Sequence, residues 1–116
     1  MKTLLKLEDL AQFLLAIFLF TRLDFAWWWF PALILLPDLS MVGYVVNTKT
    51  GAIMYNFIHH KGTGILVGVI GLISGNQAIL LAGIILFGHS AMDRIFGYGL
   101  KYNDDFKHTH LGQIGK

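Results

Sequence analysis

The chain has 116 residues, 55% of them hydrophobic and only 14% charged, where an ordinary soluble domain carries about 25% charged residues. Together with a mean hydropathy of +0.61, this argues against a soluble globular domain and for an integral membrane protein. The lack of cysteine excludes a disulfide framework and a thiolate metal site, and a net charge of +2 without any run of like charges points away from nucleic acid as a partner.

In chain order, four apolar segments can be drawn, at about 4–23, 25–46, 51–73 and 77–96. Each is close to the ~20 residues a spanning helix needs. The first, within MKTLLKLEDLAQFLLAIFLF, starts like a secretory signal. Glu8 and Asp9 interrupt its apolar run and no small-residue cleavage pattern follows Phe20, so it reads as a retained helix. The second opens on Trp27, Trp28 and Trp29, whose amphipathic rings suit the headgroup level, with packing inside a bundle as the alternative. Pro31 and Pro37 each remove a backbone donor and bend this segment. Asp38 then lies either beside a cavity or at a simple kink with a local hydrogen bond. The third segment places Tyr55, Asn56, His59 and Thr63 on one face, and Gly64, Gly68, Gly71 and Gly75 on another. Small residues at that spacing let helices approach closely, within the chain or in a homo-oligomer. The fourth carries His89 and Asp93 four residues apart, on one face.

The breaks at 22–24, 47–50 and 74–76 are short, which implies antiparallel neighbours. The expected architecture is all-α: one domain over 1–116, a four-helix transmembrane bundle with short loops and a polar cytoplasmic C-terminal tail over 97–116. Four spans place Lys2, Lys6, Lys49, Arg94, Lys101, Lys107 and Lys116 on one side and only Arg22 on the other. That asymmetry predicts both termini in the cytoplasm of a bacterial inner membrane, with membrane lipid as the surrounding partner.

An Asp at the centre of a membrane helix costs about 2.5–3.5 kcal/mol, so such residues mark functional sites by default. At about 1.5 Å per residue, Asp38, His59 and His89 all lie roughly 10–12 Å in from the cytoplasmic ends of their segments. Gln12 is similarly deep, and Glu8 about one turn shallower. His60 points about a quarter turn away from His59. Imidazoles and carboxylates are good ligands for Zn, Mn or Fe. The expected metal ligands are Asp38, His59, His89, Asp93 and, from the tail, His110. At roughly 3.3 Å per extended residue the tail reaches back over the bundle, with Gly97 and Gly99 permitting the turn. Glu8 and Asp38 are the candidate catalytic groups. An open metal position would hold a water whose pKa falls toward ~7, and Glu8 could serve as its base. The leading expectation is metal-dependent hydrolysis of a membrane-associated substrate. The alternatives are a non-catalytic membrane protein, either a small carrier with a polar relay or an interaction subunit whose His–Asp network is structural, and bis-histidine haem ligation by His59 and His89.

Four stretches carry a resemblance: LPDLSMVGY at 36–44, YNFIHH at 55–60, GHSAMDRIFGYGLKY at 88–102 and FKHTHLG at 106–112. Together they resemble a bacterial family of small membrane proteins known as a domain of unknown function, DUF4260, across nearly the whole chain. The resemblance implies a four-helix integral membrane protein of unassigned activity. More distantly, the Asp-plus-His pattern is similar to YdjM-type membrane-bound metal-dependent hydrolases. By motif, these likenesses carry over Asp38, His59, His89, Asp93 and His110. The pair His60-Lys61 is more polar than that family's pattern at this point, which sets His60 aside.

Overall fold

A computed structural model describes residues 2–102 and 107–113. Among them are five α-helices: α1 (Lys2–Thr21), α2 (Trp29–Leu33), α3 (Thr48–His59), α4 (Lys61–Ser74) and α5 (Gln77–Ile95). A 3₁₀ helix, Leu36–Val45, lies between α2 and α3. Two short strands in the tail, β1 (His108–Thr109) and β2 (Gly112–Gln113), pair antiparallel. The fold class is all-α, as the hydropathy pattern implies.

Helix α5 is the centre of the molecule. It packs against α1 on one side and α4 on the other, while α3 packs on the 3₁₀ helix. Ala16 and Phe20 of α1, Phe30 of α2, and Leu81, Ile84 and Ile85 of α5 form the core. Phe30 meets Phe20 edge-on, with ring centroids 5.4 Å apart. The α4–α5 contact is close because glycines line it. A Cβ on Gly71 would fall 2.4 Å from the Leu80 backbone nitrogen, and one on Gly64 2.6 Å from that of Phe87. From the α5 side, a Cβ on Gly83 would fall 2.3 Å from the Gly68 nitrogen. The glycine face expected from the sequence is therefore covered by α5 of the same chain. Gly75 does not share that role. It ends α4 in the left-handed conformation at φ 67°, which favours glycine.

Two expected spans are broken. Over 25–46, α2 ends after one turn and a bit, and the chain continues as ten residues of 3₁₀ helix with Pro37 in its first turn. Pro31 and Pro37 remove two donors from the ladder, so a continuous α-helix cannot run through them. A 3₁₀ run of this length is unusual. Over 51–73, the helix stops at His60, which is extended (φ −79°, ψ 126°). The His60 Nδ1 accepts the Gly62 N–H at 3.1 Å and so starts a new helix, with the axes of α3 and α4 bent by 50°. Among the described residues, α5 alone is a single helix long and apolar enough to cross a membrane; α3 and α4 meet that standard only as a bent pair. In place of four straight spans there is one such helix, or two.

The first and third breaks lie at the same end. Gln77 Oε1 accepts the Asp24 N–H at 3.0 Å and Gln77 Nε2 donates to Asp24 Oδ2 at 3.1 Å. Trp27 and Trp28 are exposed rather than packed in a bundle. Large apolar side chains are also exposed along α1 (Leu4, Leu7, Phe18) and α4 (Ile65, Leu66, Leu72, Ile73).

Candidate metal centre

The breaks position the site. Because α3 ends at His59, that imidazole is held at a helix C-terminus under α5 instead of midway along a span. The 3₁₀ helix presents Asp38 in its first turn. His89 and Asp93 come from successive turns of α5, where both are buried. The four groups converge: one ligand atom from each of Asp38, His59, His89 and Asp93 lies within 4.8 Å of all the others.

The separations are short. His59 Nε2 is 3.2 Å from Asp38 Oδ1 and 3.6 Å from Asp93 Oδ2. His89 Nε2 is 3.1 Å from Asp38 Oδ1 and 3.4 Å from Asp93 Oδ2. The two Nε2 atoms are 3.1 Å apart. Four ligands held tetrahedrally at 2.0–2.1 Å from a zinc ion sit about 3.3–3.4 Å from one another, so these edges match that polyhedron. They do not match bis-histidine haem. Two axial nitrogens stand about 4 Å apart across an iron, twice a metal–nitrogen bond, with a macrocycle between them. Here the rings are too close, at 68° to each other.

The surrounding hydrogen bonds set the tautomers. His59 Nδ1 lies 2.9 Å from the Tyr55 carbonyl, and His89 Nδ1 bonds the Ile34 carbonyl. A carbonyl only accepts, so each Nδ1 carries the proton and each Nε2 offers a lone pair to the centre. Two imidazole lone pairs and two carboxylate oxygens thus face one point. Only a cation, or protons added to the cluster, can reconcile them. Carbonyl partners of this kind orient and strengthen metal-binding histidines. Tyr55 supports the site twice: its ring stacks on His59 at 3.8 Å and 6°, and its hydroxyl donates to Asp93 Oδ2 at 3.2 Å. Ser40 Oγ stands 3.4 Å from His59 Nδ1. Arg94 Nη2 donates to the His59 carbonyl at 3.0 Å, tying the end of α3 to α5. Access is one-sided: the side chains of His59 and His89 are 0% exposed and that of Asp93 9%, but that of Asp38 is 38% exposed.

Glu8 and His110 are not in this group. Glu8 is exposed on α1. Asp9, its neighbour, is the buried carboxylate of that helix and pairs with Lys61. The tail does fold back as its glycines allow, but onto α3. Asn56 donates to the Lys101 carbonyl at 2.7 Å and accepts the Lys101 N–H at 2.6 Å. His110 Nδ1 accepts the Leu100 N–H at 2.7 Å, so that nitrogen is committed to the backbone. Burial, followed by the nearby Arg94 charge, pushes the His110 imidazole below its ordinary pKa. Burial likewise pushes the Lys101 ammonium down, with Asp93 opposing; its Nζ stands 4.7 Å above the Tyr55 ring. Gln12 is half-buried, and its Oε1 lacks a partner among the described residues. His60 caps α4, a structural task. Phe106 and Lys116 lie outside the described residues.

A family model for a domain of unknown function, DUF4260, matches residues 2–114. The chain belongs to that family. The comparisons show no relation to YdjM-type hydrolases, and neither a curated protein nor a solved structure matches the chain. Sequence reasoning about this DUF4260 protein missed Ser40, the Ile34 carbonyl and the Asp9–Lys61 pair. Tyr55 was legible as the residue one turn before His59 on the same face. The Asp9 pairing had no local signal, since Lys61 lies 52 residues away.

Proposed function

We propose that this DUF4260 protein is a multi-pass integral membrane protein whose Asp38, His59, His89 and Asp93 bind one divalent metal ion, Zn, Mn or Fe in class, and use it in hydrolysis of a membrane-associated substrate. One observation carries the metal reading: four acceptor atoms face a common point with both histidine tautomers set by backbone carbonyls. Structural sites are closed and catalytic ones keep an open position. Asp38, the most accessible of the four and on the least regular helix, would be the residue placed to admit water to a bound ion and to accept its proton. An apolar cavity of about 560 Å³ is bordered by Pro37 and Ile58, the residues before Asp38 and His59, and by Ser40, and it suits a substrate with an apolar body. The membrane reading is supported by the span-length α5, the exposed apolar faces of α1 and α4, and the composition.

The test is elemental analysis of the detergent-purified protein. The expected result is one equivalent of metal in the wild type and less than about 0.1 in His89→Ala. Tyr55→Phe keeps the metal but weakens its hold about 10- to 100-fold in chelator competition, the usual cost of removing a supporting hydrogen bond. A metal-free wild type that folds and melts cooperatively would leave the cluster as a proton-sharing structural network and overturn the reading.

A further inference from the structure

A second cavity, of about 790 Å³, lies at the end of the molecule where α1 and α4 begin and α5 stops. Its wall carries four cationic side chains, Lys2, Lys6, Lys61 and Arg94, against the carboxylates of Glu8 and Asp9. Asp9 is already paired with Lys61. Lys2, Lys6 and Asp9 recur at the spacing of one helix face, so α1 turns both lysines to the same side as Asp9. Arg94 is buried. Its Nη1 donates to the Tyr98 carbonyl at 2.8 Å and its Nη2 to the His59 carbonyl, which holds the guanidinium plane in place and leaves three of its five N–H donors. Neither carbonyl neutralises its charge, and it makes no ion pair among the described residues. The first turn of α4, capped by His60, adds the positive end of a helix dipole. The tail borders the remaining side through His110. With Nδ1 accepting from Leu100 and the imidazole neutral, His110 keeps its Nε2–H as a donor. The cavity thus offers an excess of positive charge, a pre-oriented guanidinium and further N–H donors in a partly open recess.

We propose that this cavity is a binding site for a phosphate-bearing anion, separate from the metal centre and independent of the metal reading. Arginine and lysine together are the donors phosphate chemistry selects, one planar and fixed, the other a mobile point charge. In a membrane protein, basic pockets at a helix-bundle end are where anionic lipid headgroups dock; a free phosphorylated solute presents the same group.

The experiment uses the full chain in detergent, stripped of metal with EDTA so that a phosphate–metal contact cannot mimic the result. Inorganic phosphate is titrated by calorimetry, and the protein is separately exchanged into nanodiscs of phosphatidylcholine with and without phosphatidylglycerol, with bound lipid read by native mass spectrometry. The wild type is expected to bind phosphate, or to retain phosphatidylglycerol over phosphatidylcholine. Lys2→Ala/Lys6→Ala should lose at least tenfold in either. Binding of phosphate in solution identifies a soluble phosphorylated ligand, and retention of phosphatidylglycerol alone identifies a lipid headgroup; both support the site. Arg94→Lys, which keeps the charge but not the fork, should weaken binding further. Should it fail to fold, Lys6→Glu on the exposed face of α1 replaces it, with the same expected loss. Absence of both kinds of binding in the wild type overturns the proposal, and so does binding that the lysine variants leave unchanged.

Discussion

His59 and His89 present the same atom to the same point, yet the chain holds them differently. His89 sits within α5 and reaches across to the Ile34 carbonyl of another segment. His59 bonds the carbonyl of Tyr55, one turn back on its own helix. One ring is oriented by tertiary packing and the other by local geometry. His110 shows a third use of imidazole, as a backbone acceptor. Arg94 and Lys61 hold its protonation down and Asp9 opposes them, with burial the largest influence. A histidine whose pKa is lowered on folding is favoured as the neutral base. The docking it supports is therefore present above the ordinary pKa of about 6.5 and lost as pH falls through the depressed value. Protonated His110 can no longer accept from Leu100. Hydrogen exchange should show the Leu100 amide protected at pH 7.5 and less protected at pH 5 after correction for intrinsic rates. Equal protection at both values would mean that the backbone pairing of Lys101 with Thr109 holds the tail without His110.

The α4–α5 contact separates glycines that look alike in sequence. Gly71 has the Leu80 backbone where its Cβ would go, but the space beside Gly68 is open until Leu80 Cδ1 at 3.9 Å. Replacing Gly71 by Leu should cost about 1–3 kcal/mol or more through overpacking, whereas Gly68→Ala should be close to neutral. Thermal melts in detergent read both; equal losses would show that the contact is looser than described. The spacing of small residues identified the face correctly. It could not rank its members, because rank depends on which α5 atom lies opposite. A similar limit explains the broken spans. Apolar composition over 51–73 reads as one helix, and the interruption rests on the His60 side chain taking the Gly62 N–H, a choice that hydropathy does not register. For 25–46 the two prolines were visible as bends, but the 3₁₀ continuation depends on packing against α3. Asp38, His59, His89 and Asp93 could be read as a set because polar groups stand out against apolar runs. Glu8 and His110 were grouped with them by depth and reach alone; Glu8 lies exposed on α1, and the His110 Nδ1 accepts the Leu100 N–H.

At the scale of the whole molecule, the two ends differ in charge. Lys2, Lys6, Lys61 and Arg94 gather around one cavity, while Asp24 and Gln77 join at a break that holds only Arg22 nearby in sequence. If the chain is inserted as proposed, the cationic end faces the cytoplasm. Reporter fusions at the two termini should both read cytoplasmic, and a fusion after Gly75 should read on the far side. A far-side C-terminus would mean that the bent pair α3–α4 dips in and returns without crossing.

The order in which the ligands leave the ribosome has a consequence for biogenesis. Asp38 precedes His59 by 21 residues, and His59 precedes His89 by 30. The two early ligands sit on the segments least able to enter a bilayer unaided, a 3₁₀ helix and a helix that ends in a 50° bend. The two late ones ride on α5, the segment best suited to do so. The cluster is therefore a latch that only the last helix can close. Until α5 arrives, Asp38 and His59 have each other but neither His89 nor Asp93, and once it arrives the same four side chains rivet the hesitant part of the chain to the committed part.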